Sequence, residues 1–150
     1  MLKREMKLNT AQMISLYQNQ ASALDATRSQ LAAMQNMLRE LSIAEQALKE
    51  VRKARKGEEV LLSVGAGIFI NAKLSSTNEV VASIGEGVLE PMGIKKALAR
   101  LEEQKEQVNV AIKKLEKQER ALVGNLANLE RALSHATQAQ RKDFSPQRVA

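Results

Sequence analysis

The chain contains no cysteine, no tryptophan and a single histidine. Without cysteine there are no disulfides and no thiolate chemistry. His135 has no second donor spaced to share a zinc ion with it, so it reads as a solvated side chain in a helical stretch. Aromatic residues make up 2% of the sequence, as Tyr17, Phe69 and Phe144. Compact cores lean on aromatic rings for buried area. A core restricted to Leu, Ile, Val, Met and Ala predicts helices packed along seams in an extended molecule. Long apolar runs are missing too, and none approaches the roughly 18 residues of a membrane-spanning helix. The opening "MLKREMKL" is charged and lacks the apolar centre of a secretory signal. We therefore expect one domain of 150 residues, soluble and cytoplasmic, without membrane contact.

The net charge of +6 permits contact with polyanions. Nucleic acid is disfavoured as a partner, because no aromatic is interleaved with the basic cluster Lys53, Arg55 and Lys56 for base stacking. That cluster is explained by the end of a helix. Cations in the last turn and Gly57 behind it suit a helix C-terminus.

No glycine or proline precedes Gly57. In that segment Thr10, Tyr17, Leu24, Leu31, Leu38, Glu45 and Arg52 recur every seven residues. Met13, Gln20, Thr27, Met34, Leu41 and Leu48 interleave with them. Alternating spacings of three and four are the a/d pattern of a coiled coil. Gln20, Thr27 and Glu45 interrupt the seam, and polar seam residues give up stability to fix register. The C-terminal segment repeats the pattern more cleanly. One column is Ile94, Leu101, Val108, Leu115, Leu122, Leu129 and Ala136; the other is Leu98, Lys105, Ile112, Glu119, Leu126 and Leu133. Gly124 falls on the outer face, where it costs about 1 kcal/mol relative to alanine. The spacing predicts helix 1 over 8–56 and helix 2 over 94–141, with a tail at 142–150. Each helix is roughly 48 residues, or about 70 Å. Equal helices joined by a compact insert predict a mainly α protein with a small β insert: a long antiparallel coiled-coil hairpin with the insert at its base and both termini at its far tip.

The insert carries two matching marks, Gly65-Ala66-Gly67 and Gly85-Glu86-Gly87. A phosphate-binding loop needs Gly, four residues, then Gly-Lys-Ser/Thr, and neither mark has that order. Four β-like runs surround them instead: 60–64, 68–74, 80–84 and 88–92, with Pro91 near the end of the last. Glycines supply the positive φ of hairpin turns, and "SSTN" at 75–78 is turn chemistry between the two hairpins. Isolated hairpins are marginal in water and their edges expose unpaired backbone. Their apolar residues Val60, Leu62, Val64, Ile68, Phe69, Ile70, Leu74, Val80, Val81, Ile84 and Val88 are thus expected to pair with other subunits. No carboxylate pair, nucleophile with its base, or metal cluster is evident, so neither enzymatic activity nor a cofactor is expected.

The insert resembles that of prefoldin α subunits. "LLSVGAGIFINAKL" is similar to the first α-type hairpin, "VVASIGEGV" to the second, and "EGVLEPMGIKKALARLEEQ" to the passage into the last helix. Two hairpins favour the α type over the β type, although Ser63 stands where family members often have proline. The resemblance implies a hexamer of two α and four β subunits whose hairpins form a platform. It also implies ATP-independent holding of unfolded proteins and their delivery to a group II chaperonin. Such a holdase needs reachable apolar groups. The expected tip offers Leu2, Met6, Leu8, Met13 and Ile14 from one end, and Leu133, Phe144 and Val149 from the other. A self-assembling coiled-coil scaffold or filament is the alternative function.

Overall fold

The computed structural model describes residues 9–143. The order is α1 (Thr10–Lys53), β1 (Glu59–Gly65), β2 (Ile68–Lys73), β3 (Glu79–Gly85), β4 (Val88–Gly93) and α2 (Ile94–Asp143). Two long helices thus enclose two antiparallel hairpins, β1–β2 and β3–β4, each its own two-stranded sheet.

Asn9 starts α1. Its side-chain oxygen accepts from the Gln12 amide at 2.7 Å, and Gln12 Oε1 accepts from the Asn9 amide at 3.1 Å. This reciprocal pair satisfies two donors that a helix start leaves open. The helix stops at Lys53, short of the expected residue 56, so its last turn holds Arg52 and Lys53 while Arg55 and Lys56 lie beyond it. The backbone donors there have other partners. The Arg55 amide donates to Glu58 Oε2 at 3.0 Å, and the Gly57 amide to the Leu74 carbonyl at 2.7 Å. Gly57, at φ 84°, therefore starts the hairpin rather than capping the helix directly. Between the hairpins, Ser76 Oγ accepts from the amides of Asn78 and Glu79. The Ile94 amide donates to the Asn78 carbonyl at 2.8 Å, so β4 runs into α2 without a loop.

The chain packs as two compact units. One takes residues up to Ala33 and those from Ile112 onward; the other is Met34–Ala111. In the first, Leu24 of α1 is buried with Leu122 and Leu126 of α2, and Tyr17, Ala21 and Ala23 pack against them. The Tyr17 hydroxyl donates to Glu130 at 2.9 Å, and Arg28 Nε to Glu119 at 3.1 Å. Partners that descend along α2 as they ascend along α1 make the pair antiparallel. In the second unit, Met92, Ile94, Ala97 and Val108 are buried. Lys105 of α2 there meets Glu45 of α1.

The seam columns match the burial closely. All thirteen α2 positions are buried or half-buried, as are all those of α1 except Arg52. Arg52 is exposed because the helix ends one residue later.

Candidate functional site

The two hairpins are built alike. In β1–β2, Val60 faces Ala72, Leu62 faces Ile70 and Ser63 faces Phe69; the register then passes to Gly65 and Ile68. Val64 is the extra residue of a bulge. Ala66 and Gly67 close the turn with φ of 51° and 74°. In β3–β4, Val80 faces Met92 and Ser83 faces Leu89, Ile84 is the bulge residue, and Glu86 and Gly87 turn at 44° and 76°. Two central residues at positive φ form a type I′ turn, whose twist matches that of the strands. The glycine marks are joints of the hairpins.

Their surroundings differ. In β1–β2, Leu61, Leu62, Val64, Ile68, Phe69 and Ile70 are all exposed, Leu61 by 70%. Leu61 and Phe69 belong to one face and Leu62 and Ile70 to the other, so both faces present apolar surface. In β3–β4, one face turns to the helices. Val80 and Ala82 are half-buried, and Met92 is only 8% exposed. Val81, Ile84, Val88 and Leu89 remain exposed. A cleft of about 410 Å³ lies along β3, walled by Ala44, Ala47 and Leu48 of α1 and by Ala97 and Leu101 of α2. Each hairpin pairs only internally, so every outer strand edge among the described residues is open. Of the expected assembly residues, Val60, Leu74 and Val80 are half-buried and the other eight are exposed.

The helices carry the second group. Ile14 is exposed, while Met13 and Leu133 are half-buried in seam positions. Leu2, Met6, Leu8, Phe144 and Val149 lie outside the described residues. The heptad columns do not include Leu16, Met37, Ile43, Val110 or Val123, yet all five are exposed. Val110 is 68% exposed and Ile43 62%. Their signal is in the sequence: each is a large apolar residue standing off both seam columns.

Electrostatics act at the seam. Glu45 accepts from Lys49 at 2.7 Å and from Lys105 at 2.9 Å. The Lys49 hydrogen bond, then that of Lys105, holds the Glu45 carboxyl below its ordinary range. The Glu45 hydrogen bond in turn raises Lys105. The bond to Glu130 raises Tyr17. These are pairs on the helix faces. Among the described residues there is no cluster of three or more metal-ligating side chains, and no helix long and apolar enough to cross a membrane.

Comparison with known proteins agrees with this plan. The family profile described as Prefoldin subunit matches residues 17–139. The chain is 30% identical to prefoldin subunit alpha of Methanothrix thermoacetophila over 104 residues, 69% of this chain and 68% of that one. Among solved structures, it resembles a chain of filamentous PFD from Methanocaldococcus jannaschii, with a TM-score of 0.63 and 19% identity, covering 80% of this chain and 97% of that one. It also resembles the prefoldin beta subunit from Thermococcus strain KS-1, with a TM-score of 0.56 and 20% identity over 88% and 95% of the two chains.

Proposed function

Because the chain belongs to the prefoldin family, we propose that this chaperone subunit is the α-type member of an ATP-independent holdase. It joins four β subunits and a second α subunit in a hexamer, captures unfolded polypeptides on apolar helix residues, and passes them to a group II chaperonin in the cytoplasm. The observation that carries the assembly half is hairpin β1–β2, whose strands expose apolar side chains on both faces and leave both edges unpaired. Contiguous apolar surface of that kind marks an interaction site, and open strand edges invite further strands. Holding itself needs apolar groups kept from collapsing on one another. The exposed Ile14 and Leu16, with Met13 and Leu133 beside the seam, supply them at one end of the helices, together with Leu2, Met6, Leu8, Phe144 and Val149.

The test is aggregation of a denatured protein without ATP, in the presence of this chain assembled with its β-type partner. Suppression at near-stoichiometric complex is expected. An assembled complex that suppresses nothing overturns the holdase reading.

The same open edges favour a second reading, a filament-forming scaffold, and the Methanocaldococcus relative of this fold is filamentous. Light scattering of the chain purified alone separates the two. Long polymers favour the scaffold, and a discrete small oligomer counts against it.

A further inference from the structure

In the unit containing Leu24, Leu122 and Leu126, a groove of about 250 Å³ runs beside the helix seam. Five residues line it: Leu16, Gln20, Asn125, Asn128 and Leu129. Three are amides and two are leucines, with no charge among them. Asn125 and Asn128 lie three apart on α2, hence on one face, with Leu129 one turn beyond Asn125. Gln20 Oε1 is buried and has no hydrogen-bond partner. A buried acceptor without a donor is costly, and native structures leave few of them. Gly124 adjoins the amides, and nothing lies within 4 Å of where its Cβ would stand. Glycine within a helix weakens it by about 1 kcal/mol relative to alanine.

A side-chain amide offers one carbonyl acceptor and an NH₂ donor, the same pair that a peptide unit presents. Three amides beside two leucines match an extended main chain: the amides take its N–H and C=O groups, and the leucines contact whatever apolar side chains it carries. Charged residues would discriminate among sequences, whereas amides reading the main chain do not. The groove has the volume of roughly eight waters in the liquid, room for a short stretch of chain. We propose that it binds the backbone of an extended polypeptide, independent of sequence, with Gln20 turning outward to exchange its orphaned oxygen for a partnered one. The inference rests on the holdase reading and names how that holdase grips chains of unrelated sequence.

The test uses the full chain assembled with its β-type partner. The probes are a short fluorescent peptide of alternating leucine and serine, and the same peptide with alternate backbone nitrogens methylated. Wild type is expected to bind the unmodified peptide, and methylation to weaken it several-fold. Loss of two hydrogen bonds in Asn125→Ala/Asn128→Ala should weaken the unmodified peptide roughly tenfold and leave the methylated one nearly unaffected. Gln20→Leu separates recognition from packing: it should raise thermal stability by removing the orphaned oxygen, yet weaken peptide binding. Wild type and variants binding both peptides equally would overturn the groove proposal and leave the holdase reading standing. A wild-type complex that binds neither peptide and suppresses no aggregation overturns both.

Discussion

Glu45 of α1 and Lys105 of α2 meet at 2.9 Å across the helix seam, and Lys49 closes on the same carboxylate at 2.7 Å. Each of the two partners occupies a heptad position that a stronger seam would fill with leucine. A polar pair at such a position disfavours registers that would leave either charge facing apolar side chains. The pair thus contributes alignment of α1 with α2 within the Met34–Ala111 unit, next to the cleft along β3.

Its pH dependence follows from the direction of the shift. The Glu45 pKa is depressed in the folded chain, first by Lys49 and then by Lys105. Its contribution is fully present above the unfolded value of about 4.3 and is lost as pH falls through the lower folded value. Lys105 and Tyr17 are raised. Their contributions are complete below their unfolded values, about 10.4 and about 10, and fade as pH rises through the folded ones. The thermal midpoint should therefore decline on acidification below about 4 and again above about 10. Glu45→Gln should flatten part of the acid limb and leave the Tyr17 contribution to the alkaline limb intact. An acid limb of unchanged slope in that variant would remove Glu45 as its source.

Turn chemistry gives a second prediction. Ala66 and Glu86 occupy the first central position of their type I′ turns at positive φ, a conformation that disfavours residues with a Cβ other than Asn or Asp. Ala66→Asn should stabilise hairpin β1–β2 by about 0.5–1 kcal/mol. Hydrogen exchange at the Ser63 and Phe69 amides should slow accordingly. Faster exchange would show that the turn geometry is not what limits the hairpin.

The helices were legible in the sequence because a seam writes itself as a period of seven, and the hairpins because Gly65-Ala66-Gly67 and Gly85-Glu86-Gly87 each demand positive φ. Less legible was the end of α1. The Leu74 carbonyl and the Glu58 carboxylate compete for backbone donors there, and both lie beyond the heptad run. The unlike fates of the two hairpins could not be read either. Their patterns are nearly the same, but only Val80, Ala82 and Met92 find helix surface to pack on. For the candidate site, the off-seam Leu16, Val110 and Val123 stood outside the periodicity that guided the reading. The amide groove depends on which residues of α2 come beside Gln20, a matter of register rather than composition.

The contrast between the hairpins is itself testable. Leu62 is exposed and Met92 is buried. Leu62→Asp should leave the helical circular dichroism of the isolated chain unchanged and its stability within about 0.5 kcal/mol of wild type, yet prevent co-assembly with a β-type partner in size-exclusion light scattering. Met92→Ala should do the reverse, weakening the fold by about 2–4 kcal/mol with assembly retained at low temperature. Normal assembly of Leu62→Asp would remove β1–β2 from the interface.

Client capture can be separated from assembly by the same reasoning. Ile14 and Leu16 are both exposed on α1, outside the seam columns and away from either hairpin in sequence. Replacing exposed residues changes stability little, usually within about 0.5 kcal/mol, so Ile14→Ser/Leu16→Ser should fold and co-assemble as wild type does. If apolar contact at this end of the helices holds the client, aggregation suppression should fall several-fold. Each lost leucine-sized contact is worth about 1.5–3 kcal/mol when fully buried by a client, so partial burial of two already accounts for such a drop. Leu133→Ser is the informative comparison. Leu133 is half-buried beside the seam, so a loss of holding there that tracks a loss of thermal stability belongs to the seam. A loss of holding at unchanged stability belongs to the client. Full suppression by Ile14→Ser/Leu16→Ser, in a complex of normal size, would move the holding surface away from these residues and toward Met37, Ile43 and Val110.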